Sequence, residues 1–197
     1  MDTVTIATYN NQAAGLSAYF RSVGARVEDI ERAIMLSGRA SRAVEIGCGD
    51  GRDAAEIIKR VERYEGFDPS SAMLALAKDK LPSASFVLAD AVSYQYPRDV
   101  DIIFAFASLL HINRADMRRV IRLAADCLRP GGIFYISLKW ANEYHSAVKK
   151  DKFGERLFYF YSPDQIKRIA ASRFSIVWHQ RQTMSGTEWF SIALKKI

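Results

Sequence analysis

The chain reads as an α/β protein built on a mainly parallel sheet, and three stretches carry that reading. Residues 43–55, AVEIGCGDGRDAA, pass from a short apolar run through Gly47, Gly49 and Gly51 straight into a helical pattern. A strand, a glycine turn and a helix in that order form the ligand-binding corner of an open α/β sheet. Strand-like and helix-like segments then alternate five times, which right-handed crossovers convert into parallel strands with helices on both faces. Residues 100–105, VDIIFA, are apolar almost throughout, as a strand covered on both faces must be.

The elements follow in order. Residues 1–8 alternate weakly. Ala13, Leu16, Tyr19 and Phe20 share one helical face, as do Val27, Ile30, Ala33 and Ile34, with Gly24 between them. These two helices are expected over 12–20 and 27–36, either lying across the open top of the sheet or simply covering its core. The first strand is 42–46, and a helix over 52–60 follows the glycines. The second strand, 62–67, ends at Asp68, and a helix begins around Pro69, where a missing N–H is harmless, and stops at Leu81-Pro82. A third strand, 84–88, leads into Ala89-Asp90-Ala91. After the fourth strand Asn113 caps a helix, with Asp116 as the returning acid of a capping box. Arg129-Pro130-Gly131-Gly132 is a stop and sharp turn before strand 133–138. Residues 140–155 break the rhythm and read as a loop with one irregular turn, a mobile lid, before a short aromatic strand at 157–161. Ser162-Pro163-Asp164-Gln165 is an N-cap, a first-position proline and a capping polar residue. Strands 174–179 and 189–195 flank a turn at Gly186 and form a hairpin-type ending, one of them antiparallel.

With 197 residues, 49% hydrophobic and 25% charged, the chain is long enough for one full core. Its formal charge of +6 permits attraction to nucleic acid or an acidic surface, yet most Lys and Arg are scattered. Lys149, Lys150, Lys152 and Arg156 form the tight positive cluster, readable as a solvated lid or as a seat for an acidic substrate or RNA. Cys48 and Cys127 sit in unrelated elements, which gives no disulfide framework and fits a reducing compartment. Three separated histidines make no metal site. There is no basic-then-apolar leader and no bilayer-length run, so a cytoplasmic chain without a membrane partner is expected, as monomer or homodimer.

On these residues the chain resembles the class I methyltransferases that use S-adenosylmethionine. Glu45-Ile46-Gly47-Cys48-Gly49-Asp50-Gly51 is similar to the family's first motif, and Asp68, Ala89-Asp90-Ala91, residues 101–111 and the Arg129–Gly132 turn fall where its later motifs do. The resemblance implies a three-layer Rossmann-like fold whose seven-stranded sheet is mostly parallel with an antiparallel last strand. It also implies one domain: a helical cap over 1–40, a cofactor-binding half over 41–139, a lid over 140–161, and a helix and strand pair over 162–197. The implied cofactor-binding set is Tyr9, Glu45, Gly47, Cys48, Gly49, Gly51, Asp68, Pro69, Met73, Asp90, Ala91, Ala105 and Phe106. The glycines would let the backbone approach the cofactor's methionine part. Glu45 either reaches the cofactor's ammonium or pairs with an arginine or a backbone group, and needs a partner if buried. Asp68 takes the ribose hydroxyls or caps the next helix. Asp90 accepts from adenine or forms a turn, Ala91 offers its N–H, and Met73 packs on adenine or is plain core.

Three competing readings are weaker. A dinucleotide fingerprint needs G-x-G-x-x-G, and here the third glycine comes one position early. Ala105-Phe106-Ala107-Ser108 departs from the Asn/Asp-Pro-Pro-aromatic motif of enzymes that methylate adenine N6, cytosine N4 or glutamine, and no Pro-Cys is present for attack on a pyrimidine. Ser108-Leu109-Leu110-His111 is similar to small-molecule methyltransferases. The expected function is therefore methyl transfer to a small molecule by in-line displacement, which rests mainly on positioning. The alternatives are RNA methylation and a non-catalytic partner protein that binds S-adenosylmethionine. If a base is needed, the candidates are His111 and His145; the acceptor walls are Tyr19, Phe106, Trp140, Tyr144 and Tyr159.

Overall fold

The computed structural model describes residues 1–184 and 186–197. Strands β1 (Arg42–Ile46), β2 (Arg63–Asp68), β3 (Ser85–Leu88), β4 (Val100–Phe106), β5 (Leu128–Lys139), β8 (Phe174–Met184) and β9 (Thr187–Lys196) form one seven-stranded sheet in the order β3-β2-β1-β4-β5-β9-β8. The first five are parallel, while β9 runs antiparallel to both β5 and β8. Strand β4 is buried at every residue, and its side chains alternate between two cores. Ile103 and Ala105 face α6 (Arg114–Cys127) and α7 (Pro163–Ala170). Ile102 and Phe104 face α3 (Val27–Ser37), the one-turn α4 (Ala54–Ile57) and α5 (Ser71–Lys80). Among the described residues no helix is long and apolar enough to cross a membrane.

Several expected elements change form. Residues 1–8, read as weakly alternating, fall mostly in helix α1 (Thr3–Asn11), capped by Asp2 on the Thr5 N–H at 2.9 Å. Its β-branched residues are poor helix formers; tertiary bonds from Thr5 and Thr8 hold it. Helix α2 (Ala13–Val23) follows almost directly. Helix α4 stops far short of residue 60, and Asp53 at its N-cap position accepts from the Arg26 N–H at 2.9 Å and from Arg52 instead of from a helix N–H. Pro69 precedes the cap of α5 and does not enter the helix, and Ser70, not Asp68, bonds the Met73 N–H. Asn113 caps α6 on Asp116, but the Asp116 carboxylate returns to the Asn113 side-chain amide and not to its backbone. The full capping box is at Ser162 and Gln165. The turn at 129–132 is a bulge inside β5: Val100 pairs Leu128 and Ile102 already pairs Ile133.

The largest change is at 140–155. The expected loop is mostly the two-stranded hairpin of β6 (His145–Asp151) and β7 (Gly154–Phe160). It stands apart from the main sheet and closes against α1: Thr8 Oγ1 donates to the Glu155 carbonyl at 2.7 Å, and the Leu157 N–H donates to Thr5 Oγ1 at 2.9 Å.

Candidate functional site

The site begins where the sheet order reverses, between β1 and β4, the place where open α/β sheets bind ligands. The N–H groups of Gly47 and Cys48 both donate to the Phe67 carbonyl, at 2.8 and 3.1 Å, which bends the chain away from β1 over the end of β2. Gly47 has φ +70°, and a Cβ there would lie 2.3 Å from Ser108 Cβ. The loops after β1 and β4 therefore touch only because position 47 is bare. Asp68 holds the outer side: its two oxygens accept from the Gly49 and Ser70 N–H groups at 2.9 and 2.8 Å. Burial pushes its pKa up to about 6 against those donors.

This corner opens into a cavity of about 670 Å³, within the ordinary size of small-molecule sites. Helices α1 and α2 and the β6–β7 hairpin cover it. Asn10 Oδ1 accepts from Ser70 Oγ at 2.8 Å and from the Ala72 N–H at 3.1 Å, which ties the cover to the start of α5. Buried polar atoms without a partner gather on residues that line the cavity: Arg26 Nε, Asp50 Oδ1, Ser108 Oγ and Arg156 Nε. Such atoms are rare and await a polar ligand or water. Asp50, Asp53, Asp68 and Asp90 stand at the glycine-loop end together with Arg26, Arg52 and the Met1 ammonium, while Lys139, Lys149, Lys150, Lys152 and Arg156 stand at the hairpin end with Asp151. Asp68, held by two N–H donors and, among the described residues, by no cation, is the carboxylate that fits the ribose of a sulfonium cofactor.

Twelve of the residues singled out from sequence line this cavity: Tyr9, Tyr19, Gly47, Cys48, Gly49, Asp68, Pro69, Met73, Asp90, Ala91, Phe106 and His111. Asp90 makes the turn, accepting from the Val92 N–H at 3.0 Å, and its other oxygen accepts from the Met1 ammonium at 2.7 Å. Met73 is fully buried beneath Gly49.

Seven lie elsewhere. Glu45 is buried and accepts from Tyr64 O–H at 2.5 Å, so neither an arginine nor a backbone group partners it. The Tyr64 hydroxyl fits there because Gly66 has no Cβ, which would lie 2.3 Å from it. Burial, then the charge of Asp53, hold the Glu45 carboxyl well above its usual range. Gly51 packs its bare Cα against Ala77 and Leu81 of α5, and Ala105 is inside the sheet. Trp140 lies under the Arg181 guanidinium, 3.5 Å from its ring centroid. Tyr144 and Tyr159 stack on each other at 6.1 Å, and the Tyr144 hydroxyl accepts from the Arg114 N–H at 3.1 Å. His145 is exposed, stacked on Phe160 at 4.5 Å, with the Glu143 carbonyl accepting from Nδ1. The strand period explains Tyr159: in β7 the alternating Arg156, Phe158 and Phe160 are buried, and Arg156 and Phe158 reach the cavity. Period two over 154–160 was the signal for Phe158, whereas Arg156 belongs to the positive cluster with Lys149, Lys150 and Lys152, all four of which line the cavity. Asp50, inside the glycine loop, was equally readable, whereas Arg26, Lys139 and Trp189 arrive from distant elements.

His111, 3% exposed, has both ring nitrogens engaged. The Leu157 carbonyl lies 2.6 Å from Nδ1, so Nδ1 carries the proton and Nε2 accepts from the Tyr9 hydroxyl at 3.0 Å. Burial lowers its pKa to about 4, which leaves a neutral ring whose basic lone pair already holds a hydrogen bond. Burial likewise lowers Lys139 to about 8, with the charges of Lys149 and Arg156 adding to it.

A family model described as "Methyltransferase domain" matches residues 43–132, the segment from β1 to the β5 bulge that builds this corner. Over that segment the chain is similar to methyltransferase domains, and its sheet has the class I S-adenosylmethionine-dependent methyltransferase fold. Among solved structures, the class I fold is shared with an S-adenosylmethionine-dependent methyltransferase from Methanosarcina mazei, at TM-score 0.72 and 20% identity over 80% of this chain and 93% of that one. The 1,6-didemethyltoxoflavin-N1-methyltransferase of Burkholderia thailandensis, at TM-score 0.72 and 18% identity, covers 98% of this chain and 87% of its own. Curated relatives include the trans-aconitate 2-methyltransferase of Acidovorax sp. (strain JS42), 34% identical over 48% of this chain. The chain spans 37% of that relative's length. The family-model match is confined to residues 43–132, while the fold likeness extends over most of the chain.

Proposed function

We propose that this chain transfers a methyl group from S-adenosylmethionine to a small-molecule acceptor held in the covered cavity. The observation that carries the reading is the corner itself: a glycine turn at the sheet's reversal point, a buried carboxylate at the end of β2, and a cavity of about 670 Å³ beyond them. When bound, S-adenosylmethionine supplies a sulfonium methyl open to in-line displacement.

The chain's residues provide positions. Backbone at Gly47 and Gly49 approaches the methionine part, and Asp68, already fixed by two N–H donors, accepts the ribose hydroxyls on its free lone pairs. Asp90, Ala91 and Met73 bracket the adenine, and Asp50 Oδ1 offers an unpaired acceptor to the ammonium. His111 positions Tyr9 over the cavity, and exclusion of water by α1 and the hairpin keeps the acceptor aligned. Residues 1–197 act as one unit, with 1–40 and the hairpin as its cover. The size of the cavity, and relatives named for trans-aconitate and 1,6-didemethyltoxoflavin, support a small acceptor.

Titration with S-adenosylmethionine tests the reading. We expect saturable binding that Asp68→Ala weakens at least about tenfold, the size of one charge-assisted hydrogen-bond pair. Labelled cofactor should then mark a metabolite extract and not total RNA. Absence of saturable binding would overturn the reading.

A further inference from the structure

Three of the four carboxylates at the glycine-loop end of the cavity are matched by cations. Asp50 pairs with Lys80, Asp53 with Arg52, and Asp90 with the Met1 ammonium. The hairpin end is the reverse, with more cations than acids. Lys149 stands directly opposite Arg156 across the β6–β7 ladder. Like charges in that position repel and destabilise a hairpin. Asp151 pairs with Arg156, and no carboxylate pairs with Lys149 among the described residues. Lys139 reaches the same place from the end of β5. Its Nζ sits 3.6 Å from the Phe158 ring centroid and forms no ion pair among the described residues.

Arg156 supplies the observation that points to a ligand. It is 9% exposed, it lines the cavity, and its Nε has no hydrogen-bond partner. An arginine so buried ordinarily has its donors filled. Phe158 lies between the Lys139 and Arg156 head groups, which approach its ring to 3.6 and 5.5 Å. Trp189 adds a second aromatic wall, 5.7 Å from Lys139 Nζ. The result is a recess with apolar sides and a cationic end, bordered by the hairpin and α1, with Arg156 buried inside it and Lys149 exposed at its mouth.

We propose that the acceptor carries an oxyanion group, which Lys139, Lys149 and Arg156 hold at the hairpin end of the cavity. The inference rests on the small-molecule reading above and names the class of molecule it would take: a compact organic acid or phosphate ester whose body packs on Phe158 and Trp189. A small anion answers three features together: the facing Lys149 and Arg156, the unpaired Lys139, and the orphaned Arg156 Nε. RNA answers the charge of the exposed Lys149 but not Arg156, which is buried and lines the cavity.

Anion binding is measured without relying on turnover. Citrate and, separately, inorganic phosphate are titrated into the full chain at constant ionic strength, followed by calorimetry and by thermal shift. The same titrations use Lys149→Glu and Lys139→Met, and S-adenosylmethionine is titrated into every variant. We expect saturable binding of citrate or phosphate to the wild type, weakened at least tenfold in each variant. S-adenosylmethionine affinity should stay within about threefold, which also shows that the variants fold. Whichever of citrate and phosphate binds more tightly identifies carboxylate or phosphate as the group. Lack of saturable binding of either anion, or binding unchanged by both substitutions, overturns the proposal. Failure of S-adenosylmethionine to bind while citrate or phosphate still binds through Lys139 and Lys149 overturns the methyl-transfer reading instead. In a labelled-methyl assay, label eluting with neutral or cationic metabolites, or in RNA, also overturns the oxyanion assignment, and label in the anion-exchange fraction supports it.

Discussion

Position 47 is where one atom decides the site. A Cβ there meets Ser108 Cβ at 2.3 Å, and φ +70° is a conformation that L side chains adopt only at a cost of about 1–2 kcal/mol. Gly47→Ala is therefore expected to push the β1 and β4 loops apart, lower the melting temperature and remove measurable cofactor binding. A calorimetric melt and a binding titration check both effects. Asp68 gives a pH signature. Its folded carboxyl titrates near 6, so as a ribose acceptor it should bind S-adenosylhomocysteine with an affinity that is level above pH 7 and falls below 6, approaching roughly tenfold per unit. The free protein responds in the opposite sense. Because this pKa lies above the unfolded value of 3.8, the group's contribution to stability is fully present below pH 3.8 and is lost as pH rises through about 6. An affinity that does not change between pH 5 and 7 would remove Asp68 from the cofactor contact.

Elements are fastened by a few buried polar residues. Asp101, 1% exposed on β4, accepts from the Ser41 and Arg42 N–H groups at 2.9 Å each and from the Arg129 side chain. Arg129 also donates to the Ser37 carbonyl at 3.0 Å, so the β5 bulge is bound to the end of α3 and the start of β1. Burial alone would raise the Asp101 pKa, but the Arg129 guanidinium and the Arg42 N–H hold it below the usual carboxylate range. Its stabilising contribution is thus present above pH 3.8 and lost as pH falls through the lower folded value. Asp101→Ala leaves Arg129 uncompensated and two N–H groups unpaired. We expect a loss of about 3 kcal/mol and a melting temperature lower by roughly 6–12 °C, with the cofactor corner intact. Arg129-Pro130-Gly131-Gly132 looked from sequence like a plain turn, because the partners that make it a fastening are 28 and 92 residues away in the chain.

Over the whole molecule, the class I sheet is a platform and the cavity is finished by parts that do not belong to it. Helix α1, the hairpin and the start of α5 are joined through Thr5, Thr8 and Asn10. Cutting one of these joints should loosen the cover without disturbing the sheet. In Thr5→Val the Leu157 N–H loses its acceptor. Its hydrogen exchange is expected to quicken about fivefold, the equivalent of about 1 kcal/mol, while amides of β4 stay unchanged. Quickening spread evenly over the main sheet would show instead that the cover and platform open together.

The sequence by itself determined the platform. Strand β1 could be placed residue for residue, the buried β4 within one residue, and the Ser162–Gln165 cap as it stands, since each depends on local pattern: an apolar run, a glycine triplet, or a side chain bonding a neighbour three positions on. Twelve of the proposed site residues line the cavity because most lie on loops that must follow strand ends. What only the tertiary structure decided is the cover and the charge it brings. Residues 3–11 form a helix because Thr5 and Thr8 find partners 152 and 147 residues away. The hairpin at 145–160 sets Arg156 inward and Tyr159 outward by its register. Glu45 has Tyr64 as its partner only because Gly66 leaves space for the hydroxyl. Long-range pairing selects among local conformations of similar energy, and no local pattern carries that choice.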